Sequence, residues 1–195
     1  MKRGAEFMTS ADFRDMSMGF YETDERVPLW GRKVRFAIYV ERKLLGEESD
    51  RLFDELAEGP RRRYENDEIT LDEYEQIMDG FDIPEGLPER TVTAALKIME
   101  LAEKSRPEVA RSMIKGGMAE LAGDWESQGA DEEVEVTDEE FSASFYPVDI
   151  TVEFQKSLDK PDYVYLELCC DPDYFLGHRI HVKLMADGRA VCEGI

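Results

Sequence analysis

The chain has 195 residues, 42% of them hydrophobic, which suits one domain with a sizeable core. Its 45 acidic and 24 basic residues leave a net charge of −21, which repels nucleic-acid phosphates, excludes direct DNA or RNA binding and favours a basic protein partner. No apolar run approaches the roughly 18 residues of a membrane span. No signal-peptide core opens the chain. Three cysteines, two of them adjacent, make no disulfide framework, so a reducing, cytoplasmic location is expected.

Residues 1–7, MKRGAEF, precede a second methionine, Met8, and read as a cloning-vector remnant within an N-terminal segment spanning 1–29. Residues 30–195 are expected to form a single domain with a helical insertion over 47–128. KVRFAIYVE sets Val34, Phe36, Ile38 and Val40 on one face and Arg35, Tyr39 and Glu41 on the other. This period-2 alternation predicts a half-buried strand. ESDRLFDELAEG then predicts a short amphipathic helix ended by Gly59-Pro60. Thr70 and Glu73 form a capping-box pattern for a second helix carrying Leu71, Tyr74, Ile77 and Met78. A third helix follows with Val92, Leu96 and Met99 on one stripe. Ser105 and Glu108 suggest another capping box, opening a helix weakened in its middle by Gly116-Gly117.

Seven of the ten positions 131–140 are acidic, which predicts a solvated linker, with Thr137 and Glu140 able to cap one short turn that carries Phe141. Alternation then returns four times. It places Val148, Ile150, Val152 and Phe154 together, then Val164, Leu166, Leu168 and Cys170, then Ile180, Val182 and Leu184, then Val191 and Ile195. Helices grouped in the middle and strands grouped at the end predict an α+β fold, with an antiparallel sheet of about five strands and helices packed on one face. The opposite, open face would present Arg35, Asp149, Glu153, Arg179 and Lys183 together with a candidate interface of Tyr39, Tyr163, Tyr165, Glu167 and His181.

The densest chemistry is CCDPDYFLGHRIH, residues 169–181, with both histidines and two of the three cysteines. On a strand, His178 and His181 fall on opposite faces, and so do Cys169 and Cys170. This leaves Cys170 and His178 as a core-side pair at the two ends of DPDYFLG. Asp187-Gly188 predicts a two-residue hairpin pairing Lys183 with Cys192 and Val182 with Glu193, which would bring Cys192 to the open face near Cys169 and His181. These three are diagonal neighbours rather than a close-spaced ligand set, so no metal site is assigned. A Cys170–His178 nucleophile and base, oriented by Asp171 or Asp173, is the catalytic alternative. Buried cysteines and satisfied histidines are the commoner circumstance, and no catalytic residue is assigned. The chain has no Gly-rich phosphate loop and no calcium-loop spacing, so no cofactor is expected. DPDYFLG itself is explained as a turn, with Pro172 fixing φ, the aspartates bonding local backbone and Gly177 releasing the chain.

VTDEEF, the alternating strands after it and then DPDYFLGHRIHV resemble an uncharacterised bacterial family known as domain of unknown function 2262. The resemblance is loose from about Trp30 and more specific over 137–195. Its motif positions are Asp173, Phe175, Gly177 and His178, with a second element at 139–141, and Leu176 stands where an aromatic is expected. The resemblance implies no activity. Two readings follow. One is a non-enzymatic protein-binding module, of which an immunity-type inhibitor is an example. The other is a hydrolase or metal-dependent enzyme using the Cys170/His178 region.

Overall fold

A computed structural model describes residues 8–81, 83, 86–128 and 133–195; the expected vector remnant at 1–7 lies outside them. A single 3₁₀ turn at Ser10–Asp12 is followed by β1 (Phe13–Asp15), β2 (Phe20–Thr23), β3 (Val27–Leu29) and β4 (Arg32–Val40). The helices are α1 (Arg42–Glu65), α2 (Leu71–Asp79), α3 (Glu89–Lys104), α4 (Arg106–Lys115), α5 (Met118–Ser127) and α6 (Asp138–Ser144). The chain ends in β5 (Phe145–Phe154), β6 (Tyr163–Cys170), β7 (Ile180–Met185) and β8 (Ala190–Gly194). The α+β class stands, but the sheet has eight strands among the described residues rather than about five, ordered β1-β2-β4-β5-β6-β7-β8 with β3 paired to β4. The three additional strands are three or four residues long, too short to show an alternation.

Pairing is antiparallel except between β4 and β5, which run parallel. The sheet is therefore mixed, not wholly antiparallel as the strand pattern predicts. A connection that contains all six helices is long enough to return the chain to the same end of the sheet, as parallel pairing requires. The core face is continuous across the strands. Phe36, Ile150, Leu166 and Val182 make one row, and Ile38, Val152, Val164 and Leu184 make the next, all at most 1% exposed. Against this face α3 sets Val92, Ala95, Ile98 and Met99, α4 sets Val109 and Met113, and α6 sets Phe141. Burying a side chain of this size contributes about 1.5–3 kcal/mol, so these rows dominate the stability.

Local signals explain most boundaries. The Thr70/Glu73 and Thr137/Glu140 capping boxes both form. Gly117, at φ +79°, separates α4 from α5. Ser105 does not cap α4: as the single residue between α3 and α4 it is held in helical geometry, and its hydroxyl donates back to the Ala102 carbonyl at 2.7 Å. Pro60 does not end α1, although a proline inside a helix costs about 3 kcal/mol. Beyond it Arg62 pairs with Glu58, and Tyr64 stacks on Tyr74 of α2 at 5.3 Å. The acidic stretch is not wholly a solvated linker. Val134 N–H donates to Ser127 Oγ at 2.8 Å, and a Cβ on Gly123 would stand 2.7 Å from the Val134 carbonyl. Only glycine lets residues 134–136 lie so close to α5.

The final hairpin departs from the expected register. Lys183 pairs with Val191 and Val182 with Cys192, with an irregularity between His181 and Val182. Cys192 therefore sits on the core side, half-buried, and its N–H donates to Ser112 Oγ of α4 at 2.9 Å. Glu193, expected opposite the core residue Val182, lies instead on the open side and pairs with Lys183 Nζ at 2.6 Å.

Candidate functional site

Two clusters were candidates from the sequence: the Cys170/His178 end of the sheet and the open face. The structure does not bring the first together. Cys170 is 5% exposed on the core side, and burial pushes its thiol up to about 11, far from the thiolate a nucleophile needs. His178 is not on the core face. β7 begins only at Ile180, so His178 belongs to the preceding turn and is exposed, with its ring edge-on to Trp125 at 5.6 Å. Its side chain has no hydrogen bond or ion pair among the described residues.

The other motif positions shape that turn. Asp173 Oδ1 accepts from the Gly177 N–H at 3.0 Å, Gly177 takes φ +85°, and His178 N–H donates to the Phe175 carbonyl at 2.9 Å. Phe175 is buried between Trp125 of α5 and Phe141 of α6. The four residues thus build a turn and pin it to two helices. Cys169 and His181 face the open side while Cys192 faces the helices, so the three cannot converge. Among the described residues no group of three or more His, Cys, Asp or Glu side chains is placed to hold a metal ion.

The open face is a different matter. Because strand side chains alternate, one side of β4 to β7 presents Tyr39, Glu153, Tyr163, Tyr165, Glu167, His181 and Lys183, each half-buried. One cross-strand row runs Phe20–Tyr39–Glu153–Tyr163–Met185 over five strands. Phe20 leans on Tyr39 at 5.7 Å, and Gln155 Nε2 donates to the Tyr163 hydroxyl at 2.9 Å. A second row holds Tyr165, whose ring stacks on His181 at 5.6 Å and 25°. Lys183 Nζ stands 5.1 Å over the Tyr163 ring. Burial holds the Tyr163 and Tyr165 hydroxyls above their ordinary pKa and pushes the Glu153 carboxyl up as well.

The lower end of the face is neutralised within itself. Arg35 holds Asp149 through two bonds, Nε to Oδ1 at 2.6 Å and a terminal nitrogen to Oδ2 at 2.8 Å, while Arg179 bridges Asp149 and Glu167. Beside it, Arg35, Glu22, Thr151 and Phe20 line a depression of about 170 Å³. Phe20 was not legible as a site residue, because its strand is four residues long. Two further arginines were also missed. Arg32 stacks over Tyr146 at 4.2 Å and Arg106 donates to the Ser142 and Phe145 carbonyls, both lining a polar pocket of about 230 Å³ where α6 meets β5. Their bonds there are to backbone and ring, which makes them supports of the junction.

A family model described as an uncharacterised protein conserved in bacteria, domain of unknown function 2262, matches residues 55–195. The chain belongs to that family. The matched stretch of domain 2262 carries Glu153, Tyr163, Tyr165, Glu167 and His181 along with the 173–178 turn, and Phe20 and Tyr39 come before it. No curated protein and no solved structure matches the chain. No helix among the described residues is long and apolar enough to cross a membrane.

Proposed function

We infer that this member of the family is a non-enzymatic protein-binding module that docks a basic protein partner on the open face of its sheet, as an immunity-type inhibitor would. The observation that carries the reading is the open face itself: a surface of five adjoining strands on which Phe20, Tyr39, Tyr163, Tyr165 and His181 stand half-exposed beside charged neighbours. Tyrosine offers a large contact area for little ordering cost, and aromatic residues are enriched where proteins meet. A net charge of −21 speeds encounter with a basic partner and repels an acidic one.

The enzymatic alternative has no comparable support, since Cys170 is buried as a thiol and His178 stands elsewhere on Trp125. The test is affinity capture from the native host at about 50 mM and about 300 mM salt, using the wild-type chain and a Tyr163→Ala/Tyr165→Ala double variant. The expected result is a basic polypeptide retained by the wild type, more strongly at low salt, and lost by the folded variant. Capture indifferent to both substitutions would overturn the open-face reading.

A further inference from the structure

The pocket where α6 meets β5 carries chemistry that the junction does not use up. Arg106 gives one terminal nitrogen to the Ser142 and Phe145 carbonyls, at 3.4 and 3.3 Å, and lays its guanidinium over the Phe145 ring at 5.1 Å. Arg32 lays its own over Tyr146 at 4.2 Å and makes no hydrogen bond among the described residues. A guanidinium has five N–H donors, so most of those on the two arginines are left for a ligand. Among the described residues neither has a carboxylate within ion-pair distance. The one acidic side chain on the wall, Asp171, stands farther off, and two positive charges against one negative leave the lining at +1. In a chain of net charge −21 this is a positive concavity.

Its walls are held in place. Trp30 and Gly31 form a two-residue turn between β3 and β4, both at positive φ, +49° and +76°. The first place of such a turn ordinarily takes Asn, Asp or Gly, and a bulky residue there is an outlier. The Trp30 side chain keeps it there: Nε1 donates to the Ala102 carbonyl at 2.9 Å, and the ring meets Phe145 edge-on at 5.8 Å. Backbone strain of this kind persists where the surroundings over-determine it, and it collects at ligand sites. Two stacked arginines beside a braced indole are set in advance, which lowers the cost of binding.

The cavity of about 230 Å³ lies below the roughly 300–1,000 Å³ of pockets for drug-sized ligands. A guanidinium fork matches the two oxygens of a carboxylate, and a net +1 balances that single charge better than the nearly double charge of a phosphate group. We propose that this pocket binds a small organic carboxylate, its oxygens on Arg32 and Arg106 and its carbon chain towards Trp30. None of the lining residues belongs to the aromatic rows of the open face, so this site and the docking of a basic partner stand or fall separately.

The probe is sodium butyrate, followed by NMR titration of the full chain, with butyramide as its uncharged counterpart and inorganic phosphate as the more highly charged anion. Saturable shifts are expected at Trp30 Nε1–H and at the Arg32 and Arg106 side-chain N–H groups with butyrate, weaker with phosphate and absent with butyramide. Arg32 is exposed, so Arg32→Gln is expected to keep the fold while weakening butyrate binding about tenfold. Arg26→Gln, at another exposed arginine, leaves it unchanged. Asp171→Asn takes the one negative charge from the lining and is expected to tighten phosphate more than butyrate. Equal binding of butyrate and butyramide, phosphate bound more tightly than butyrate by the wild type, or an Arg32→Gln chain that binds butyrate unchanged would each overturn the site. So would shifts that never saturate.

Discussion

His178 shows how one exposed ring can still matter. It caps the 173–178 turn against Trp125, which also meets Phe175 edge-on at 5.8 Å. Aromatic pairs of this geometry contribute about 0.5–1.5 kcal/mol. In a domain of this size His178→Ala is therefore expected to lower the melting temperature by roughly 1–5 °C, as read by thermal circular dichroism. An unchanged midpoint would remove the ring contact from the account. The alternation after His178 was visible in the sequence, but where the strand begins was not. Asp173 and Gly177 close the turn through a side-chain bond and a positive φ, and this delays β7 to Ile180. Likewise the placement of Cys192 turned on the hairpin loop: Met185 N–H donates to the Arg189 carbonyl at 2.8 Å across three residues rather than two, which sets Cys192 opposite Val182 before the irregularity at His181/Val182 restores the expected register.

At the level of elements, long strands and capped helices were legible. β6 and β7 alternate cleanly, β4 does so apart from the buried Ala37, and Thr70/Glu73 and Thr137/Glu140 mark helix starts through reciprocal bonds to backbone N–H groups. In β5 the alternation slips between Pro147 and Asp149, where a bulge leaves Val148 half-exposed instead of in the core. The short β1–β3 region was hidden because its stability comes from pairing with β4 rather than from its own pattern. Gly19 is the residue that allows this pairing. It takes φ +83°, its carbonyl accepts from the Val40 N–H at 2.9 Å, and a Cβ there would meet the Val40 oxygen at 2.1 Å. Gly31 has a similar φ of +76° with open space around it. Gly31→Ala is expected to cost about 1 kcal/mol for its backbone alone, and Gly19→Ala more than about 2 kcal/mol, because a backbone oxygen cannot move aside. Urea unfolding of the two variants checks the difference; equal losses would mean that the close approach carries no energy.

For the whole molecule, charge is the dominant trait and ion pairs organise part of it. Glu48 in α1 accepts from Arg90 of α3 and from Arg51, and Arg90 also reaches Asp159 in the β5–β6 connection, so three distant parts of the chain meet at the Arg90 guanidinium. The Arg90 and Arg51 guanidinium groups hold Glu48 down at about 2, against an ordinary 4.5. A depressed carboxylate contributes stability that is complete above the unfolded value and disappears as pH falls through the folded one. Glu48→Gln is accordingly expected to destabilise most above pH 4.5, with the gap to wild type narrowing as pH falls towards 2. Urea midpoints at about pH 6 and about pH 3 measure it; a gap that stays constant would show that the network acts through packing alone.

The Ser112 hydroxyl of α4 occupies the outward N–H of Cys192, on the last strand of the sheet. With one outward donor of this five-residue strand taken by α4, backbone pairing with another chain is hindered there, and the opposite margin, β1, is only three residues long. Both features discourage edge-to-edge association of the molecule. Its recognition then falls to side chains standing up from a flat surface, so specificity can be retuned one residue at a time without disturbing the ladder beneath.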